Sequence, residues 1–134
     1  MSRYVTGQQK MANNLIMLRH RVAKLAGEAV EKTCVDVANH AKANHASASA
    51  HAARRYRNRT GNLTGSITPE LKEVTLEKVH GIVHTSGLKY GYYVEFGTKR
   101  NWMTMKPNKP YPFLQPALNA NQENLRRRLS LIVK

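Results

Sequence analysis

Leu15, Leu18, Val22, Leu25, Ala29, Thr33, Val37 and Ala41 recur at steps of three and four in the first part of the chain. That spacing sets one apolar stripe along a helix, and it predicts a helix from about Gln8 to His40. A stripe of this length has to be buried against other elements, so it constrains the fold more than any other feature. Its apolar weight starts as Leu and Val and fades to Ala. Beyond it, Ala41 to Ala53 is Ala-rich, with Asn and Ser that weaken helix. This stretch is either an extension that orders against a neighbour or a flexible loop. The helical region is therefore bounded at 8–53.

The second half changes character. Thr60 to Gly65 is turn chemistry, with Gly61 and Gly65 able to take positive φ. Ser66 to Thr68 reads as a short strand or the end of that turn, and Pro69 breaks continuity. Val74 and Leu76 favour a strand over Glu70 to Lys78. His80-Gly81 suggests a tight turn, Ile82 to Thr85 a second strand, and Tyr90 to Phe96 a third, aromatic and β-branched one. Residues 60–98 thus read as a β-meander and 99–111 as a long loop. Pro112 and Pro116 stand at a helix start, where a missing N–H costs least. Leu118, Leu125, Leu129 and Ile132 then continue at helical spacing, which predicts a C-terminal helix over 112–133. The expectation is a single α+β domain over residues 1–134. It has a long N-terminal helix, an antiparallel meander of three to four strands, and a C-terminal helix packed on one face of the sheet.

Charge narrows the partners. The chain carries 22 Lys plus Arg against 8 Asp plus Glu, a formal net charge of +14. Such an imbalance favours nucleic acid or an acidic protein surface. The charge lies in three zones: residues between Asp36 and Glu70, the stretch after Phe96, and Arg126-Arg127-Arg128. Arg54, Arg55, Arg57 and Arg59 surround Tyr56, a pattern that suits phosphates with base or sugar stacking. Lys99 and Arg100 extend the second zone. All six are expected to face DNA or an acidic partner. One cysteine, Cys34, excludes an intrachain disulfide. Neither a signal peptide nor an apolar run long enough to cross a membrane is expected, so no membrane partner is either.

Catalytic constellations are missing. Glu95 lies between Val94 and Phe96, without a nearby His, Lys or metal partner in sequence, and one carboxylate is not a site. Its expected role is structural: pairing an arginine or capping backbone N–H groups. A hydrolase using Glu95 with a histidine is the remote alternative. His40, His45 and His51 are spaced wrongly for one helix face, and no Cys pair or acidic cluster joins His80 and His84. No metal, cofactor or enzymatic activity is expected. Cys34 reads as a small buried hydrophobe. Gly61 and Gly65 form neither a P-loop nor a dinucleotide fingerprint.

Three pieces stand out in order: Arg59-Thr60-Gly61-Asn62-Leu63-Thr64-Gly65-Ser66-Ile67, then Tyr90-Gly91-Tyr92-Tyr93-Val94-Glu95-Phe96-Gly97-Thr98, then Pro112-Phe113-Leu114-Gln115-Pro116-Ala117-Leu118. They resemble the TGxLxxSI, YAxxxEFGT and PFLxPAL elements of a family of small neck or tail-completion proteins of long-tailed bacteriophages. The resemblance covers roughly residues 55 to 134, and the N-terminal helix matches only in character. Gly91 replaces the more usual Ala, and the loop Lys99 to Lys109 does not map onto the family.

The resemblance implies a structural virion protein, assembled in the host cytoplasm, that forms a ring of copies at the head–tail junction. The implied partners are copies of itself, connector or head-completion proteins, tail-terminator or tail-tube proteins, and packaged double-stranded DNA. A small basic nucleic-acid-binding module is the alternative. Expected contact residues are Trp102, Met103, Met105, Tyr92 and Phe113, since aromatic residues and Met are enriched at interfaces. Gly61, Gly65, Glu95, Phe96, Gly97, Pro112 and Pro116 are expected to shape the motifs. Gly97 would permit a turn, and Phe96 would pack on Phe113 or Leu114.

Overall fold

The computed structural model describes residues 6–51 (backbone alone over 47–51), 62–99, 107 and 109–133. Its elements are α1 (Gly7–His51), α2 (Asn62–Ser66), β1 (Ile67–Val74), β2 (Val79–Thr85), α3 (Tyr90–Phe96) and α4 (Leu114–Ile132). The fold is mixed helix and sheet, with a long N-terminal helix, a two-stranded antiparallel sheet and a C-terminal helix.

Helix α1 has 45 residues, about 67 Å at 1.5 Å per residue. It therefore runs through the Ala-rich stretch whose state the sequence left open. The reason is packing. Ala41 and His45 are almost fully buried, and Asn44 donates from Nδ2 to the Phe113 carbonyl at 3.3 Å. Small side chains let the second half of α1 approach its neighbours, so low bulk there is an adaptation to contact.

Strands β1 and β2 pair from Ile67↔Thr85 to Val74↔Val79, with a bulge between Leu71 and Glu73. The first corrections fall here. Pro69 lies inside β1 opposite Val83 rather than breaking it. In a two-stranded sheet every strand is an edge, so a residue without an N–H is tolerated. The turn is Thr75 to Lys78, closed by Thr75 N–H to the Lys78 carbonyl at 2.8 Å and Lys78 N–H to Thr75 Oγ1 at 2.9 Å. His80-Gly81 is not the turn, because both residues sit within β2. Gly81 serves close approach instead: a Cβ there would stand 2.5 Å from Cys34 Sγ and 2.8 Å from Val30 Cγ1 on α1.

The expected third strand is a helix. Tyr90 to Phe96 forms α3, and the meander of three to four strands reduces to two strands among the described residues. Strand alternation would put Tyr90, Tyr92, Val94 and Phe96 on one face. The buried residues are instead Gly91, Val94 and Glu95, at helical spacing. Tertiary packing overrides the β preference of the tyrosines and valine. Gly97, at φ 74°, ends the helix, with its N–H on the Tyr93 carbonyl at 2.8 Å. Gly65 lies in α2 and is not among the positive-φ glycines, so it supplies no left-handed turn.

The core gathers Val37, Ala38 and Ala41 of α1 with Leu63, Ile67, Val94, Phe113 and Ala117. Phe113 fills its centre at 1% exposure, edge-on to the His45 ring at 5.4 Å between centroids.

Candidate functional site

The three motif pieces are distant in sequence and meet in this core. Leu63 and Ile67 come from the first, Val94 from the second, Phe113 and Ala117 from the third. Glu95 joins the second to the third. Its Oε2 accepts the Phe113 N–H at 2.7 Å and the Leu114 N–H at 3.0 Å, and its Oε1 accepts the Gln115 N–H at 2.9 Å. Those are the first free donors of α4, and the next residue, Pro116, has none. The start of α4 is thus fully satisfied by one buried carboxylate, whose charge also suits the helix N-terminus. Of the two structural roles the sequence offered Glu95, the structure shows the backbone cap. With both oxygens on the backbone, the side chain is not arranged as a general base beside a histidine.

Beside this junction runs an apolar trough of about 580 Å³. It is lined by Val30, Cys34 and Val37 of α1, Val83 of β2, Tyr92 and Phe96 of α3, and Leu118 of α4. Tyr92 and Phe96 are 63% and 65% exposed, with their rings 4.8 Å apart. The ring contact of Phe96 is therefore with Tyr92; of its two expected partners, Phe113 lies in the core and Leu114 lines the same trough. Tyr92 does present itself on the surface. Phe113, grouped with it as a contact residue, has no surface to offer. Pro112 and Pro116 are exposed at the start of α4. Lys99 is exposed. Trp102, Met103, Met105, Arg54, Arg55, Arg57, Arg59, Arg100 and Gly61 lie outside the described residues.

Other titratable groups are accounted for by packing. Burial, with the Glu31 carboxylate as a second cause, pushes the Cys34 thiol above its ordinary pKa, the reverse of what a nucleophile needs. Burial lowers the pKa of His45, whose Nδ1 lies 2.8 Å from Thr64 Oγ1. Arg128, part of a basic zone in sequence, turns inward: Nη1 donates to Thr33 Oγ1 at 2.9 Å and Nη2 to Asp36 Oδ2 at 2.6 Å. Among the described residues there is no cluster of His, Cys, Asp or Glu able to hold a metal, and no helix long and apolar enough to cross a membrane.

Helix α4, expected on one face of the sheet, packs mainly along α1, a seam that sequence reasoning missed. Asn121 donates to the Ala117 carbonyl at 2.8 Å and meets His40 Nδ1 at 3.3 Å, and Arg128 binds Asp36. Asn121, Asn124 and Arg128 lie at helical spacing, the one signal that they share a face. Comparison of the chain with protein-family models, with curated proteins and with solved structures yields no match.

Proposed function

We propose that this protein is a structural component of the neck of a long-tailed bacteriophage, building a ring that joins or completes the head–tail junction around the DNA channel. The observation that carries the reading is the convergence of the three motif pieces into one core, with Glu95 tying the second to the third. Residues that would be catalytic candidates in an enzyme are here used to hold elements together. The trough, left open by the described residues, and the exposed Tyr92 and Phe96 suit a heterologous contact between copies, which closes into a ring when the rotation allows. The charge of +14 suits a lumen that passes DNA without reading its sequence. The neighbours in this reading are the connector or head-completion protein on one side and a tail-terminator or tail-tube protein on the other.

Deleting Asn101 to Lys109 tests it. The expected result is a folded protein that no longer supports joining of heads to tails, seen by electron microscopy of particles. Joined, infectious particles carrying the deletion would refute the role given to that loop. Absence of the protein from finished particles would refute the whole reading. An isolated monomer that binds DNA tightly, with a steep loss on adding salt, would favour the nucleic-acid-binding alternative.

A further inference from the structure

Among the described residues, helix α1 runs well past the end of α4. The hairpin lies against one side of it: a Cβ on Gly27 would meet Val74 at 3.2 Å, and the turn residues Thr75 to Val79 share a recess with Leu18, Arg19, Val22 and Ala23. Helix α4 meets it through Thr33 and Asp36 (on Arg128), His40 (near Asn121) and Asn44 (on Phe113). Helix α4 ends at Ile132, four residues past Arg128. The two helices run antiparallel, so α4 stops near the level of Ala29.

The stripe that faces α4 does not stop there. Met11, Leu15, Leu18, Val22, Leu25 and Ala29 continue the line of Thr33, Asp36, His40 and Asn44 toward the N-terminus. Their steps of four, three, four, three and four are those of a heptad seam. Met11, Leu15 and Leu18 are more than half exposed, at 63%, 53% and 55%. The α1–α4 interface therefore has a prolongation that α4 does not cover.

Charge identifies what would cover it. Arg19 and Arg21 flank the seam about 80° to either side. Lys10 and Lys24 add to them, and no acidic residue of α1 occurs before Glu28, while the hairpin turn brings Glu77 and Lys78 to the recess beside Arg19. In the covered part, α1 supplies the carboxylate, Asp36, and α4 the arginine. On the arm the signs are reversed. We infer that the arm Gly7–Lys24 docks an amphipathic helix of another protein, with carboxylates beside its own apolar seam, extending the line of α4. A second copy of this chain would bring Arg19 and Arg21 against their like. A membrane surface fits less well, because the arm, Gly7–Lys24, has no Trp, Tyr or Phe to anchor it. This inference stands on the arm and is independent of the neck assignment.

The probe is a labelled three-heptad peptide with Leu at the seam positions and Glu at the flanking ones. Its binding to the full chain is followed by fluorescence anisotropy. Binding is expected at low salt, weakening as salt rises. The doubly substituted Leu15→Glu, Leu18→Glu chain should lose affinity by roughly tenfold or more while keeping its circular dichroism, because both side chains are exposed. The Arg19→Glu, Arg21→Glu chain should bind the Glu peptide weakly and a Lys-flanked peptide better. Equal binding of Glu- and Lys-flanked peptides by the unaltered chain, or no binding, overturns the inference. So does self-association in sedimentation that Leu15→Glu, Leu18→Glu abolishes, which would make the occupant a second copy. Partition onto phosphatidylcholine–phosphatidylserine vesicles, lost in the same variant, would overturn it in favour of a lipid surface.

Discussion

Glu95 shows how much one side chain can organise. Three backbone donors converge on its carboxylate at 2.7–3.0 Å inside the molecule. Replacing it with Ala leaves those N–H groups unsatisfied and opens a void. The expected loss is about 3 kcal/mol, since hydrogen bonds to a charged group are the stronger kind and their losses do not add fully. Thermal unfolding of Glu95→Ala should show it as a fall of roughly 10 °C. Glu95→Gln should retain part of the cap, because its amide oxygen accepts but its NH₂ cannot. The sequence made this role legible as one of two structural options, since no catalytic partner stood near. It did not disclose the recipient. The capped residues lie 18 to 20 positions away, and no local pattern reports which loop end returns to which helix.

At the level of elements, helices α1 and α4 were readable because their apolar periodicity is long. The hairpin was readable as two strands, but its turn was misplaced by taking Gly81 as punctuation. Gly81 answers to a neighbour across space, so its meaning depends on α1 lying over β2. That makes a prediction. Gly81→Ala should cost about 1–3 kcal/mol by overpacking against Cys34 and Val30. Denaturant unfolding should show a lower midpoint, and the double substitution Gly81→Ala, Cys34→Ala should recover part of it. Helix α3 was misread because seven residues offer only two turns of evidence, and aromatic and β-branched side chains argued for a strand. The informative positions were Gly91, Val94 and Glu95, the three that are buried. Gly91 has a tight reason of its own, since a Cβ there would lie 2.8 Å from Thr85 Oγ1.

For the molecule as a whole, acid should be destabilising through His45. Burial holds its folded-state pKa below the ordinary 6.5. The unfolded chain therefore takes up the proton first as pH falls. Stability tied to this ring is present above about pH 6.5 and declines below it, until the folded-state pKa is reached. Melting temperatures measured from pH 7.5 down to pH 5 should fall, and His45→Gln should flatten that part of the curve. The tertiary arrangement behind this effect was the least legible in sequence. His45 sits in an Ala-rich stretch that advertises no partner, yet it meets Thr64 and Phe113 from two other parts of the chain.

The Glu95 cap on α4 has a further consequence. Tyr111 N–H bonds the Val94 carbonyl at 2.8 Å, and Glu95 holds the three N–H groups that follow Pro112. The chain before Thr98 and the chain after Pro110 are thus fastened to each other at one place. A change in the length of the sequence that joins them leaves these four bonds, and the framework they close, without a residue altered.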